Sequence, residues 1–238
     1  MELNLVKDNQ NRFSSVYIVG QLLILFCLLF LIYYLHWIGL VVCLLLMIVI
    51  NYSLSSPQKK LENLGICRNN FVNVKFLNML FLGIVAELTF QIIINPLVEI
   101  IFNEEINLLD FYRIKHNLAI YILMVVYGWV EGGIFEELIY RGFILNNMLK
   151  VLSCFVYNSK IISVISVTIV SIFFGLSHSY QGISGIISTG FFSVLLSIVY
   201  IKSGKNTFYS IILHGVIDTT AFTILYFNLN GLLRNLIF

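Results

Sequence analysis

Residues 118–150 read LAIYILMVVYGWVEGGIFEELIYRGFILNNMLK, and the fold turns on them. About 20 mostly apolar residues carry a helix across the hydrocarbon core of a bilayer, so this run is too long for one upright crossing. Gly132-Gly133 sits at its middle. The stretch therefore reads either as one strongly tilted helix or as two segments broken at the glycines. Apolar sequence on both sides of the charges, at 118–130 and 138–149, puts Glu136, Glu137 and Arg141 at membrane depth rather than in a surface loop. Ionisable residues at that depth are costly, and they point to function by default.

The rest of the chain agrees with a membrane setting. Lys and Arg number 14 and Asp and Glu 12 among 238 residues, so 11% are charged and 59% hydrophobic, with a mean hydropathy of +0.94. A soluble domain carries about 25% charged residues. Disorder is excluded by the same apolar excess. Outward from 118–150, apolar runs of spanning length lie at 16–35, 37–53, 76–102, 161–179, 182–201 and 207–228. The expected fold is all-α, a polytopic membrane helix bundle of seven spans, or eight if the fourth is split. The polar stretch 54–75 divides an N-terminal helix pair with its cytoplasmic loop (1–75) from a membrane-embedded core (76–238).

Lysine and arginine favour the cytoplasmic side. With seven spans and the N-terminus inside, the inner segments hold Lys7, Arg12, Lys59, Lys60, Arg68, Lys75, Lys150, Lys160, Lys202 and Lys205, and the outer ones only Arg113, Lys115 and Arg234. Splitting the fourth span would reverse everything after it and spoil that bias. The expectation is a multi-pass protein of the cell membrane, N-terminus cytoplasmic, with a first helix that is retained rather than cleaved as a signal peptide. A net charge of +2 gives no pointer to nucleic acid. The four cysteines are scattered without a CxxC pair and read as small apolar residues.

On a helix of 3.6 residues per turn, Glu137 and Arg141 share a face and can pair. Glu136 lies a quarter-turn or so away, free for general acid–base work. The fifth run ends at His178, which by itself reads equally well as an interfacial histidine. In the seventh, His214 and Asp218 are four apart on one face. A carboxylate beneath a histidine orients the ring and sets its tautomer, although a structural pair joining two helices is nearly as good a reading of these two alone. Six such residues together resist explanation by packing.

Other polar positions read more plainly. Glu87, Gln91 and Asn95 make a stripe facing the bundle interior, for interhelical hydrogen bonds or, less favoured, water access, and Pro96 kinks that helix. His36 and His116 belong in loops. HExxH, GxSxG and a phosphate loop are absent, and Gly182-Ile183-Ser184-Gly185 only superficially mimics a rhomboid-type serine motif.

In order, Glu136-Glu137-x-x-x-Arg141-Gly142, Phe174-x-x-x-His178 and His214-x-x-x-Asp218 resemble the three motifs of the CPBP (Abi) family of CAAX-type prenyl endopeptidases and bacteriocin-processing or immunity proteins. The likeness covers about 118–228. Many members carry Asn where this chain has Asp218; Asp also occurs.

The resemblance implies an intramembrane endopeptidase acting on prenylated protein or peptide-precursor substrates, near the cytoplasmic face. Glu136, helped by His178, would activate a water. His214 and Asp218 would stabilise the oxyanion or orient the groups that do, and Glu137 and Arg141 would form a supporting ion pair. No cofactor follows with certainty: a divalent metal such as zinc could take Glu136, His178 and His214, but the glutamate–histidine scheme needs no ion. Expected partners are a peptide or lipidated protein and the lipid bilayer, with no nucleic acid and the oligomeric state open. The alternative is a non-catalytic bacteriocin-immunity or scaffold protein that binds a peptide or partner in the membrane. A proton or ion transporter ranks last. One tension remains: upright parallel helices would hold His178 and His214 about 15 Å apart along the axis at 1.5 Å per residue.

Overall fold

A computed structural model describes residues 74–234, together with 64–66 and a scatter of helical positions between 20 and 49. Most of the expected spans 16–35 and 37–53 and of the polar stretch 54–75 lies outside the described residues. So does His36.

Among the described residues five helices are long and apolar enough to cross a membrane: α1 (Phe76–Phe102), α2 (Leu118–Leu152), α3 (Ser159–Ser177), α4 (Gly182–Lys202, entered through a 3₁₀ turn at Ser179–Gln181) and α5 (Thr207–Tyr226). A short sixth, α6 (Asn230–Arg234), follows. No strand occurs among the described residues. The chain is an integral membrane protein built as an all-α bundle.

Asparagine sets where three of these helices begin. The Asn117 side chain accepts from the Ile120 N–H, Asn158 from Lys160 and Ile161, and Asn206 from Phe208. Each satisfies a backbone donor that the first helical turn leaves open. At the other end of α1, Asn103 adopts φ 50°, the left-handed conformation that stops a helix.

The second helix is one continuous element of 35 residues, so the split at Gly132-Gly133 does not occur. Its middle is wound as π-helix over Gly128–Glu136 and Leu138–Leu145, between α-helical ends Leu118–Tyr127 and Asn146–Leu152. A third π segment, Phe90–Ile94, precedes Pro96 in α1. Proline supplies no N–H to the preceding turn, and wide turns are a recognised way for a helix to absorb such a break.

The outward faces are apolar. Phe81, Ile100 and Ile101 on α1, Leu123 and Val126 on α2 and Phe191 on α4 are all exposed. Polar groups turn inward, where Ser166, Ser193, Ser197, Thr207 and Ser210 are fully buried. That inversion suits a lipid solvent, since interhelical contacts favour small and polar residues. The most enclosed span is α5, packed on α1, α2 and α4. It carries His214 and Asp218 into the centre of the bundle.

Candidate active site

The bundle encloses a cavity of about 570 Å³. Glu136 of α2, His178 at the end of α3, and His214 and Asp218 of α5 all line it. Glu137 and Arg141 do not: both are fully buried behind its wall. The six residues singled out from sequence thus divide into four that face the space and two that stand behind it.

The rear pair forms first. Arg141 Nη1 donates to Glu137 Oε1 at 2.7 Å. Its Nη2 reaches across to α4, donating to the Ser193 hydroxyl at 2.8 Å and the Ser193 carbonyl at 3.2 Å. The guanidinium also lies 4.7 Å from the centre of the Phe174 ring of α3, within cation–π range. One buried cation therefore ties three helices together.

Glu137 then reaches forward. Its Oε1 accepts from His214 Nδ1 at 2.8 Å, which leaves Nε2 pointing at the cavity, 3.9 Å from Glu136 Oε2 and 3.7 Å from Asp218 Oδ1. This corrects the expectation from spacing. The carboxylate that orients the ring is Glu137 on the neighbouring helix, and Asp218, four residues along α5, faces the ring's other nitrogen. Phe174 and Phe192 flank the same ring, with centroids 6.2 and 5.1 Å away.

Gly132 makes room for this arrangement. A Cβ at that position would stand 2.7 Å from Asp218 Oδ2 and 3.1 Å from His214 Nε2. Glycine leaves the space that the Asp218 carboxylate and the His214 ring occupy.

His178 follows the last turn of α3, and its Nδ1 donates to the Phe174 carbonyl at 2.9 Å. A carbonyl only accepts, so the proton sits on Nδ1 and Nε2 carries the lone pair. The Phe174 ring lies 4.9 Å from the His178 ring as well as 6.2 Å from that of His214. The helices are staggered enough to bring both histidines around one phenylalanine, and the axial gap inferred from upright helices disappears.

Sequence reasoning gave no role to one carboxylate, Glu131, and read another, Glu87, only as part of a polar stripe. Glu131, one turn before Glu136 on α2, lines the cavity, as does Glu87 of α1. The stripe on α1 does face the interior: Gln91 Nε2 donates to Glu87 Oε1 at 2.7 Å, and Ser188 Oγ of α4 donates to Asn95. Hydrogen bonding and lining of an open space are combined on one face, where the two had been read as alternatives. Glu131 could have been found by extending the argument that singled out Glu136, since it lies on the same apolar run.

The zinc set considered from sequence is not assembled. Among the described residues no three His, Cys, Asp or Glu side chains are grouped to hold a metal ion. A catalytic zinc needs three convergent protein ligands, and the residues present do not supply them.

Residues 118–220 match the model of the family described as Type II CAAX prenyl endopeptidase Rce1-like, which is the CPBP family. The match takes in α2, α3, α4 and most of α5, and with them all six residues. No curated protein and no solved structure matches the chain.

Proposed function

We propose that this chain, with its Rce1-like domain over residues 118–220, is an intramembrane endopeptidase that hydrolyses a peptide bond in a membrane-associated substrate, a prenylated protein or a peptide precursor. The observation that carries the reading is the gap of 3.9 Å between Glu136 Oε2 and His214 Nε2 on a cavity wall inside the bundle. That distance exceeds a direct hydrogen bond, yet one water can sit within about 2.8 Å of both atoms.

In this mechanism Glu136 takes a proton from the water as its oxygen attacks the scissile carbonyl, and returns that proton to the leaving amine. The Nε2 lone pair of His178 is a second acceptor that orients the water. His214, held by Glu137 and Arg141, places Nε2 beside the developing oxyanion and stabilises it when that nitrogen carries a proton. Asp218 Oδ1 lies 3.7 Å from the same nitrogen, on the opposite side from Glu137. Glu137 and Arg141 act only through His214 and are positioning residues.

The test is cleavage of a farnesylated CAAX peptide, and of an unlipidated peptide of the same sequence, by purified protein in detergent. Wild type should hydrolyse at least one, and Glu136→Gln should lose about 10²- to 10⁴-fold, the usual contribution of a general acid–base group. If Glu136→Gln cleaves as fast as wild type, the mechanism is wrong. Tight peptide binding by both proteins without hydrolysis would instead favour the immunity or scaffold role.

A further inference from the structure

The chain treats its buried acids in two ways. Those that join elements have an arginine each: Arg141 pairs with Glu137 at 2.7 Å and Arg234 with Glu99 at 2.6 Å. Those on the cavity wall do not. Glu87, Asp110, Glu131, Glu136 and Asp218 all line the space, and among the described residues Arg234 is the one lysine or arginine that does, already bound to Glu99. Glu136 is only 5% exposed, yet among the described residues it accepts no hydrogen bond. His214 Nε2 stands 3.9 Å from Glu136 and 3.7 Å from Asp218, but one imidazole, even protonated, balances a single charge.

The winding of α2 brings two of these acids together. In an α-helix, at 3.6 residues per turn, positions five apart point well away from each other. Gly128–Glu136 is π-helix instead, with backbone bonds from i to i+5, so Glu131 and Glu136 fall on one face and both reach the cavity. The Tyr127 hydroxyl donates to Glu131, which satisfies a lone pair but supplies no positive charge. A carboxylate taken from water is costly unless a cation or several donors meet it. Carboxylates of one sign around a low-dielectric space concentrate a field that attracts the opposite charge. Tyr127 and Tyr180 line the same space, and aromatic faces attract ammonium and guanidinium groups as well.

We infer that the cavity selects a peptide with a lysine or arginine one or two residues from the scissile bond, and that Glu131 is the specificity residue that reads it. Glu131 lies one turn from Glu136, about 5 Å along the axis, which is the span of one to two extended residues. With the scissile carbonyl at Glu136, the side chain of a near neighbour in the substrate meets Glu131, while Glu87 and Asp218 add their charge from α1 and α5. A bound metal ion is not the missing cation, since no three ligating side chains are grouped to hold one among the described residues. The inference rests on the proteolytic reading and adds to it the class of peptide that is cut; a lipidated chain and an unlipidated one can each carry the basic residue.

The test gives purified wild type, in detergent, the farnesylated CAAX peptide with lysine, norleucine or glutamate just before the prenylated cysteine, and a second set with the same three residues just after it. At one of the two positions kcat/KM should fall about 10-fold or more from lysine to norleucine, as loss of a close charge pair does, and further for glutamate. Glu131→Gln should bring the lysine-to-norleucine ratio close to one. Equal rates for all three peptides at both positions, or a lysine preference that survives Glu131→Gln, overturns the inference. Should that variant fail to fold, the wild-type rates still decide the substrate class, and Glu131→Ser repeats the test of the residue. If wild type cleaves none of the peptides, the proteolytic reading alone has failed. Kd values for the same peptides, fluorescently labelled, then decide the preference: tightest binding of the lysine form upholds it, and equal Kd values overturn it.

Discussion

Substituting Gly132 by alanine separates the site from the fold more cleanly than any other single change. The added methyl meets Asp218 Oδ2 at 2.7 Å and His214 Nε2 at 3.1 Å, where ordinary contact begins at 3.4 Å. The aspartate must therefore yield by about 0.7 Å and the imidazole by about 0.3 Å. Asp218 can swing its carboxylate aside. His214 cannot move freely, because Glu137 holds Nδ1 at 2.8 Å and Phe192 and Phe174 flank the ring. A displacement of about 1 Å in a catalytic group can cost roughly 10²-fold, so kcat/KM for the farnesylated peptide should fall about 10- to 100-fold. Stability should change little. Overpacking costs about 1–3 kcal/mol, and replacing glycine by alanine in a helix returns about 1 kcal/mol. Gly133→Ala is the control: its methyl meets the Ile211 carbonyl at 3.4 Å and nothing nearer, so activity should stay within about twofold of wild type by the same reasoning. Peptide turnover in detergent, beside a thermal melt of each variant, decides the matter. Wild-type turnover by Gly132→Ala, or equal losses in both variants, would refute the claim that this contact shapes the site.

Three further changes probe the network. Arg141→Met leaves the Glu137 carboxylate buried without its cation and should cost about 3–5 kcal/mol, visible as a large fall in melting temperature; Arg141→Lys should not restore it, because one ammonium cannot span Glu137 and Ser193 as the guanidinium fork does. Glu137→Gln keeps the shape but removes the charge that holds the His214 Nδ1 proton, and should lower kcat about 10- to 100-fold, as loss of such supporting partners does. Asp218→Asn should retain activity within about tenfold of wild type: Asp218 Oδ1 is 3.7 Å from His214, not directly bonded, and an amide can donate to an oxyanion where a carboxylate cannot. A loss larger than about 10²-fold would show that the Asp218 charge itself is needed.

The spans were legible because length and apolarity are nearly all that a bilayer demands. The α1 run matches its expected bounds, and the other described spans fall within two residues of theirs. The three asparagine caps were not singled out from sequence, although each is a polar residue just before an apolar run. What could not be read is the winding of α2. Residue pattern reports which positions are apolar, whereas a π turn is fixed by how the backbone settles against its neighbours; here Gly128 and Gly132 pack against α5, where a methyl on either would crowd Asp218. Spacing also misassigned the partner of His214. It finds neighbours along one helix, such as Asp218, but Glu137 comes from another element 77 positions away.

Two adjacent glutamates in one apolar helix would be hard to tolerate if they did the same job. The structure gives them opposite surroundings. Glu137 turns to the rear, where Arg141 balances its charge and Ser193 and Phe174 fix the guanidinium. Glu136 turns to the cavity, where its nearest cationic partner is the imidazole that Glu137 itself orients, 3.9 Å away. The ion pair behind the wall is thus what makes a second carboxylate in front of it useful. It holds α2 to α4 through Ser193 and α2 to α5 through His214, so the same bonds set both helix packing and the aim of Nε2. Substitutions at Arg141 should therefore lower stability and turnover together. Those at Gly132 and Asp218, which touch only the front of the ring, should lower turnover alone or leave it intact. That contrast distinguishes a site built on a structural ion pair from a structural ion pair that merely borders a cavity.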